Sequence, residues 1–330
     1  MFPQLGAPIG FIAANGIFLL VATSLDNDQF HGWGWRLPFF VSAVLVLVGL
    51  YVRLKLGETS VFRQAMSHER PARVPLRELF DQHRWRTLLG TLSMAACYAL
   101  FYLSTVFSLG YGTTALNFSR QTFLALECLA IFGMAIAIPI SARLSDRFGR
   151  RPVLLVGIAL TALSGFSFAP MLGSGSVALV TLFLFSELFL VGVVYAPMGA
   201  YLPELFPTRV RYTGASVAYS LAGILGASLA PYIAQTLAAW GGLGGVGAYL
   251  TAISVVSFGA VLLIGETVSV DLAHTRSKAE ANAPFRQVSD PYPISAPQAL
   301  IPLRRRTASG RVRMNCVHHG EYIRKSVLGG

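Results

Sequence analysis

The sequence predicts an all-α polytopic membrane protein, a bundle of about eight membrane-spanning helices. Three observations carry that expectation. Of 330 residues, 54% are hydrophobic and only 12% charged, against roughly 25% charged in a soluble domain, and the mean hydropathy is +0.59. The charge is gathered into short patches, between which lie apolar runs of the ~20 residues needed to cross a bilayer. None of these runs alternates polar and apolar residues as a membrane barrel does.

The apolar segments fall at about 5–25, 37–56, 88–110, 121–142, 153–173, 177–198, 213–238 and 246–265. The first is too long for a signal-peptide core and no Lys or Arg precedes it, so it reads as a membrane helix. All eight carry both Gly and Ala among larger apolar residues, which lets helices approach closely in lipid and predicts a packed bundle. Residues 57–87 form the longest internal connection, a charged linker ending in an amphipathic stretch, "LRELFDQHRWR". Residues 266–330 are rich in Pro, Ser and Arg without apolar periodicity and read as a disordered tail.

Basic residues set the expected orientation. The connections 53–87, 143–151 and 199–212, with the tail, hold 24 of the 26 Lys and Arg. That bias places this side, and both termini, in the cytoplasm of a plasma-membrane protein. A net charge of +11 raises nucleic acid as a partner, but no basic stripe interleaves with aromatics, so none is expected. The partners implied are the lipid bilayer and a small molecule; the oligomeric state is left open. Three scattered cysteines, Cys97, Cys128 and Cys316, form no disulfide framework. The pair His318-His319 beside Cys316 is a weak metal motif, and no metal site is expected. No Ser/His/Asp arrangement, HExxH or phosphate-cradling loop points to an enzyme.

An internal echo links the first two segments to the last two. "GAPIGFIAANG" is answered by "GASVAYSLAG", and "LKLGETSVF" by "LLIGETVSVDL". Such an echo six helices apart fits a parallel repeat of two six-helix halves, and that register sets four helices ahead of Met1.

"SARLSDRFGRRP" (residues 141–152) resembles the loop signature of the major facilitator superfamily, in the copy between helices eight and nine. "YLPELFPTRVRYTGAS" is similar to that superfamily's loop between helices ten and eleven. "WGWRLPFFVSAVLVLVGLYVRLKLGETSVF" and "LFYLSTVFSLGYGTTALNFSRQTFL" resemble the metabolite:H+ symporter family, which carries α-ketoglutarate, citrate, shikimate, proline and betaine. The likeness covers residues 3–272, helix five to helix twelve. Ser141 stands where the family loop has Gly, Gly57-Glu58-Thr59 where P-E-S is common, and the tail after Asp271 matches no part of the family. The resemblance implies a major facilitator-type bundle with eight of twelve helices present. Residues 1–56 are then the last two helices of the N-terminal bundle, 57–87 the central loop and 88–265 the C-terminal six-helix bundle. The function implied is proton-coupled symport of a small organic acid or compatible solute by alternating access, with a proton as coupling ion and no cofactor. The alternative is a truncated or frame-disrupted, transport-inactive remnant.

Such a carrier needs buried titratable groups and a switch. Glu127 and Glu187 are the acids inside apolar segments, and a charge within the bilayer is a functional candidate by default. For Glu127 the alternative is solvation near a membrane end or pairing with Arg120. The resemblance puts helices seven and ten on the substrate cavity. Tyr98, Tyr102 and Thr105 share one face of helix seven at i, i+4, i+7, which presents hydroxyls to substrate or serves as a packing stripe. Tyr195, with Pro197, lies toward the inner end of helix ten. Asn15 and Gln235 are lone polar residues suited to bonds between helices.

The charged loop is the expected cytoplasmic gate. Gly149 permits the turn, and Asp146 is expected to face the N-terminus of helix eleven near Thr213, where partial positive charge favours an anion. Arg147, Arg150 and Arg151 are expected to reach Glu204 or Glu266, with Arg209 and Arg211 contributing from the 199–212 connection.

Overall fold

The computed structural model describes residues 2–55, 75–207 and 209–266. Among these every regular element is helical. Helix α1 is Phe2–Ser24 and α2 is Leu37–Lys55. The short amphipathic α3 is Pro75–Gln82. Then come α4 (Arg84–Thr114), α5 (Arg120–Phe148), α6 (Arg150–Ser174) and α7 (Val177–Glu204). The last helical run, Arg211–Leu263, has 53 residues. At 1.5 Å per residue it would be ~80 Å long, far beyond a hydrocarbon core of ~30 Å. It is broken at Gly242, whose φ of 64° and ψ of −167° are non-helical and open to glycine alone. We therefore count α8 (211–241) and α9 (243–263). The eight spans fall where the eight apolar segments predict, with ends shifted by a few residues. The expected linker from 57 to 74, the tail beyond 266 and the Cys316–His319 stretch lie outside the described residues.

Small residues bring the helices together, as lipid-embedded packing requires. Gly133 of α5 lies against the Phe185 carbonyl of α7, where an added Cβ would come within 2.6 Å of that oxygen. Gly192 of α7 lies against Met134 and Ala137 in the same way, and Ser141 Oγ donates to the Val193 carbonyl at 2.6 Å. Between α6 and α9, Gly165 packs on Gly247 and Thr251 Oγ1 donates to the Ala162 carbonyl at 2.8 Å. Helix α2 differs: apolar side chains such as Phe40 and Leu54 are exposed along its length, a surface that lipid tails accept.

Helix α4 is held by its partners at the backbone itself. The buried Ser257 hydroxyl of α9 accepts from the Ala96 N–H at 3.1 Å and donates to the Leu92 carbonyl at 2.6 Å. Those two groups would otherwise bond each other along the helix. Gly226 of α8 abuts Ala95 and Tyr98, where a Cβ would lie 2.6 Å from the Ala95 carbonyl oxygen. Both helices carry a wide π turn nearby, Leu103–Phe107 in α4 and Ile224–Ser228 in α8. Such turns often occur at functional sites.

Candidate functional site

Midway along the bundle, α4, α5, α7 and α1 border a half-open cavity of about 110 Å³. Tyr98 and Tyr102 enter from α4, Tyr195 from α7, Met134 from α5 and Ala7 from α1. Three of the four hydroxyl residues expected on the cavity therefore meet there. Thr105 does not: it is buried in the π turn of α4 and its hydroxyl donates to the Phe101 carbonyl at 2.7 Å. The i, i+4, i+7 spacing shares one face in a regular helix, and the wide turn carries Thr105 off that face.

Two residues beside this cavity escape sequence reasoning. Gln4 of α1 donates to the Tyr195 carbonyl at 2.9 Å, and Tyr219 of α8 packs against the same core as Tyr98 and Tyr195. Gln4 precedes the first apolar segment and Tyr219 lies in a run of small residues with other hydroxyls beside it, so neither stands out in the sequence.

The two acids inside the spans differ in their surroundings. Glu187 of α7 is fully buried and accepts from Ser164 Oγ at 2.8 Å and Ser167 Oγ at 2.9 Å. Both serines lie in α6, so the carboxylate ties α6 to α7. Glu127 of α5 is also buried. One oxygen accepts from Asn15 Nδ2 of α1 at 3.4 Å, and the other has no partner among the described residues. Arg120, which the sequence offered as a partner, makes no ion pair with Glu127 among the described residues. Gln235, the other lone polar residue, is exposed.

The basic end of the bundle is built around Gly149, which joins α5 to α6 with φ 96°. A side chain there would also strike Glu266, whose Oε2 would lie 2.7 Å from the added Cβ. Glu266 accepts from the backbone N–H groups of Arg150 and Arg151 at 3.2 and 3.1 Å. An anion at a helix N-terminus satisfies otherwise unpaired donors and the helix dipole. The Arg150 guanidinium pairs with Glu204 at the end of α7. Arg151 donates to the Leu262 carbonyl at 2.8 Å, while Arg147 lies over the Phe148 ring at 5.3 Å. Arg209 meets Glu78 of α3 at 3.4 Å. Arg211 Nε and Arg86 donate to the carbonyls of Phe206 and Leu205 at 3.2 and 3.1 Å, cations against the end of α7.

Asp146 departs from expectation. It is exposed and caps no helix among the described residues, α8 included. The buried face of α5 here carries Ser141, Ala142 and Ser145, so helical geometry turns Asp146 outward with Arg143 and Arg147. Glu266 takes the anion position, on α6 instead of α8. Arg150 and Arg151 bond Glu204, Glu266 and the Leu262 carbonyl, contacts among α6, α7 and the end of α9. By contrast, the bonds of Gln4, Asn15 and Gln121 (to the Ala22 carbonyl, 2.9 Å) join α1 to the rest.

Comparison with known proteins fits this arrangement. A profile of the Major Facilitator Superfamily matches residues 113–308. The inner membrane metabolite transport protein YhjE of Escherichia coli (strain K12) is 48% identical over 271 residues, 81% of this chain and 62% of that protein. The shikimate transporter of the same organism is 32% identical over 273 residues, 80% and 61% of the two chains. The proline/betaine transporter of Salmonella typhimurium is 31% identical over 246 residues, 71% and 48%. The chain spans about three-fifths of the length of the first two. All three are named for transport and none for a catalysed reaction. A bundle of apolar helices, a small-residue core, a charged α5–α6 turn and a match over more than half its residues together make this multi-pass membrane chain a member of the Major Facilitator Superfamily.

Proposed function

We propose that the chain acts in proton-coupled symport of a small organic acid or compatible solute, by alternating access, as a member of the metabolite:H+ symporter family. The observation that carries the coupling is Glu127. It is a buried acid at the contact of α1 with α5, one oxygen held by Asn15 and the other without a partner among the described residues. A buried polar oxygen left unpaired is costly, so this is where a proton or a donor from substrate is received. Glu127 also lies seven residues, ~10 Å, from Met134 on the same helix face, and Met134 lines the cavity. Glu187, with both oxygens held by serines of α6, fits better as a tie between two helices.

On this reading Tyr98, Tyr102 and Tyr195 meet the substrate. The contacts around Gly149, Arg150, Arg151, Glu204 and Glu266 hold the ends of α6, α7 and α9 together at the cytoplasmic face. Residues 88–265 move as one six-helix bundle against 1–56, and the bonds from α1 are those that change. The excess of Lys and Arg on one side supports plasma-membrane insertion with both termini cytoplasmic. The substrate class rests on relatives named for shikimate and for proline and betaine.

The test is uptake by proteoliposomes holding the full chain, under an imposed pH gradient, against dicarboxylates, shikimate, proline and betaine. Accumulation of one class that collapses with the gradient is expected. Silence across the panel would reject symport by this chain and favour the transport-inactive alternative.

A further inference from the structure

The cavity has a chemical character that its place in the fold does not require. Among the described residues its nine lining positions include no Lys, Arg, Asp or Glu. What they supply is aromatic: Tyr98, Phe101, Tyr102 and Tyr195, with the sulfur-bearing Met94 and Met134. The Phe101 and Tyr102 rings stand 5.4 Å apart at an interplanar angle of 75°, so they form a corner that presents π surface in two directions. At about 110 Å³ the space is well below the roughly 300–1,000 Å³ of sites that hold a whole ligand. It suits one end of a solute.

Which end follows from hydration. A carboxylate entering here would find no cation in the lining, only the hydroxyls of Tyr98, Tyr102 and Tyr195, and a primary ammonium would find no anion. A charge taken out of water without an opposite charge beside it is expensive. A quaternary ammonium group has no N–H to satisfy and spreads its charge over methyl groups. Aromatic faces attract such a cation, and do so more strongly where water is excluded. We propose that this cavity receives the quaternary ammonium group of a small solute, held by the rings of Tyr98, Tyr102 and Tyr195. The proposal rests on the reading of this cavity as the substrate site and narrows its ligand to methylated-ammonium solutes. The tyrosines then act through their rings and not through their hydroxyls.

Calorimetric binding to the full chain in nanodiscs tests this with choline and 3,3-dimethylbutan-1-ol, its uncharged carbon isostere, and with shikimate as a carboxylate lacking a cation. Choline is expected to bind at least about tenfold tighter than the isostere. Tyr102→Phe, which keeps the ring, should hold choline within about threefold, whereas Tyr102→Leu should weaken it about tenfold or more. A monodisperse Tyr102→Leu sample with an unchanged helical spectrum separates lost binding from lost folding, and Tyr195→Leu serves as the second variant. Equal binding of choline and its isostere, or a loss with Tyr102→Phe as large as with Tyr102→Leu, would overturn the proposal. Shikimate binding in place of choline, reduced by Tyr102→Leu, would overturn it while leaving the cavity as the substrate site. Failure of every probe to bind would remove both readings.

Discussion

Glu187 and Glu127 show how much a single residue's role depends on neighbours that its own segment does not contain. Ser164 and Ser167 have fallback acceptors in their own helix, the Thr161 carbonyl at 3.0 Å and the Ser164 carbonyl at 2.6 Å. Each serine has one proton, so it can serve either the helix or Glu187. Glu187→Ala therefore should not strand two donors, and its penalty should come mainly from the void and the lost tie between α6 and α7. We expect a loss of about 1–3 kcal/mol, read as a lowered unfolding midpoint in nanodiscs, with Glu187→Gln nearer the wild type. A loss of transport without loss of stability would return Glu187 to the proton pathway. Both acids are visible in the sequence because a charge in an apolar run is conspicuous. Their ranking is not, since Asn15 and the two serines come from other helices.

At the scale of the helix, close approach decides the energetics. Gly192 lies where α7 meets the backbone of α5, so Gly192→Val must push the two apart. A loss of about 1–3 kcal/mol is expected from such overpacking, again as a lowered unfolding midpoint. Glu266 caps α6 from an exposed position, so Glu266→Gln should cost only about 0.3–1 kcal/mol at low salt, and less as salt is raised. A salt-independent effect would count against the charge–dipole account. Apolar run length located all eight spans, even the pair merged around Gly242, because hydrophobic thickness fixes helix length. The π turns of α4 and α8 could not be read this way. The one in α4 is why Thr105 leaves the cavity. Asp146 failed for a related reason: its spacing along the loop said nothing of which face of α5 it occupies.

For the whole molecule, orientation and coupling are the open physical claims. With native cysteines replaced, Arg143→Cys should react with a membrane-impermeant maleimide only in opened cells, and Ser174→Cys in intact ones. The reverse pattern would invert the topology drawn from the basic residues. Coupling is tested most directly at Glu127, by comparing net accumulation with exchange in proteoliposomes of the wild type and Glu127→Gln. The account predicts that an inward proton gradient drives accumulation by the wild type, while Glu127→Gln keeps exchange of labelled for unlabelled substrate and loses accumulation. Gradient-driven accumulation by Glu127→Gln equal to the wild type would contradict it.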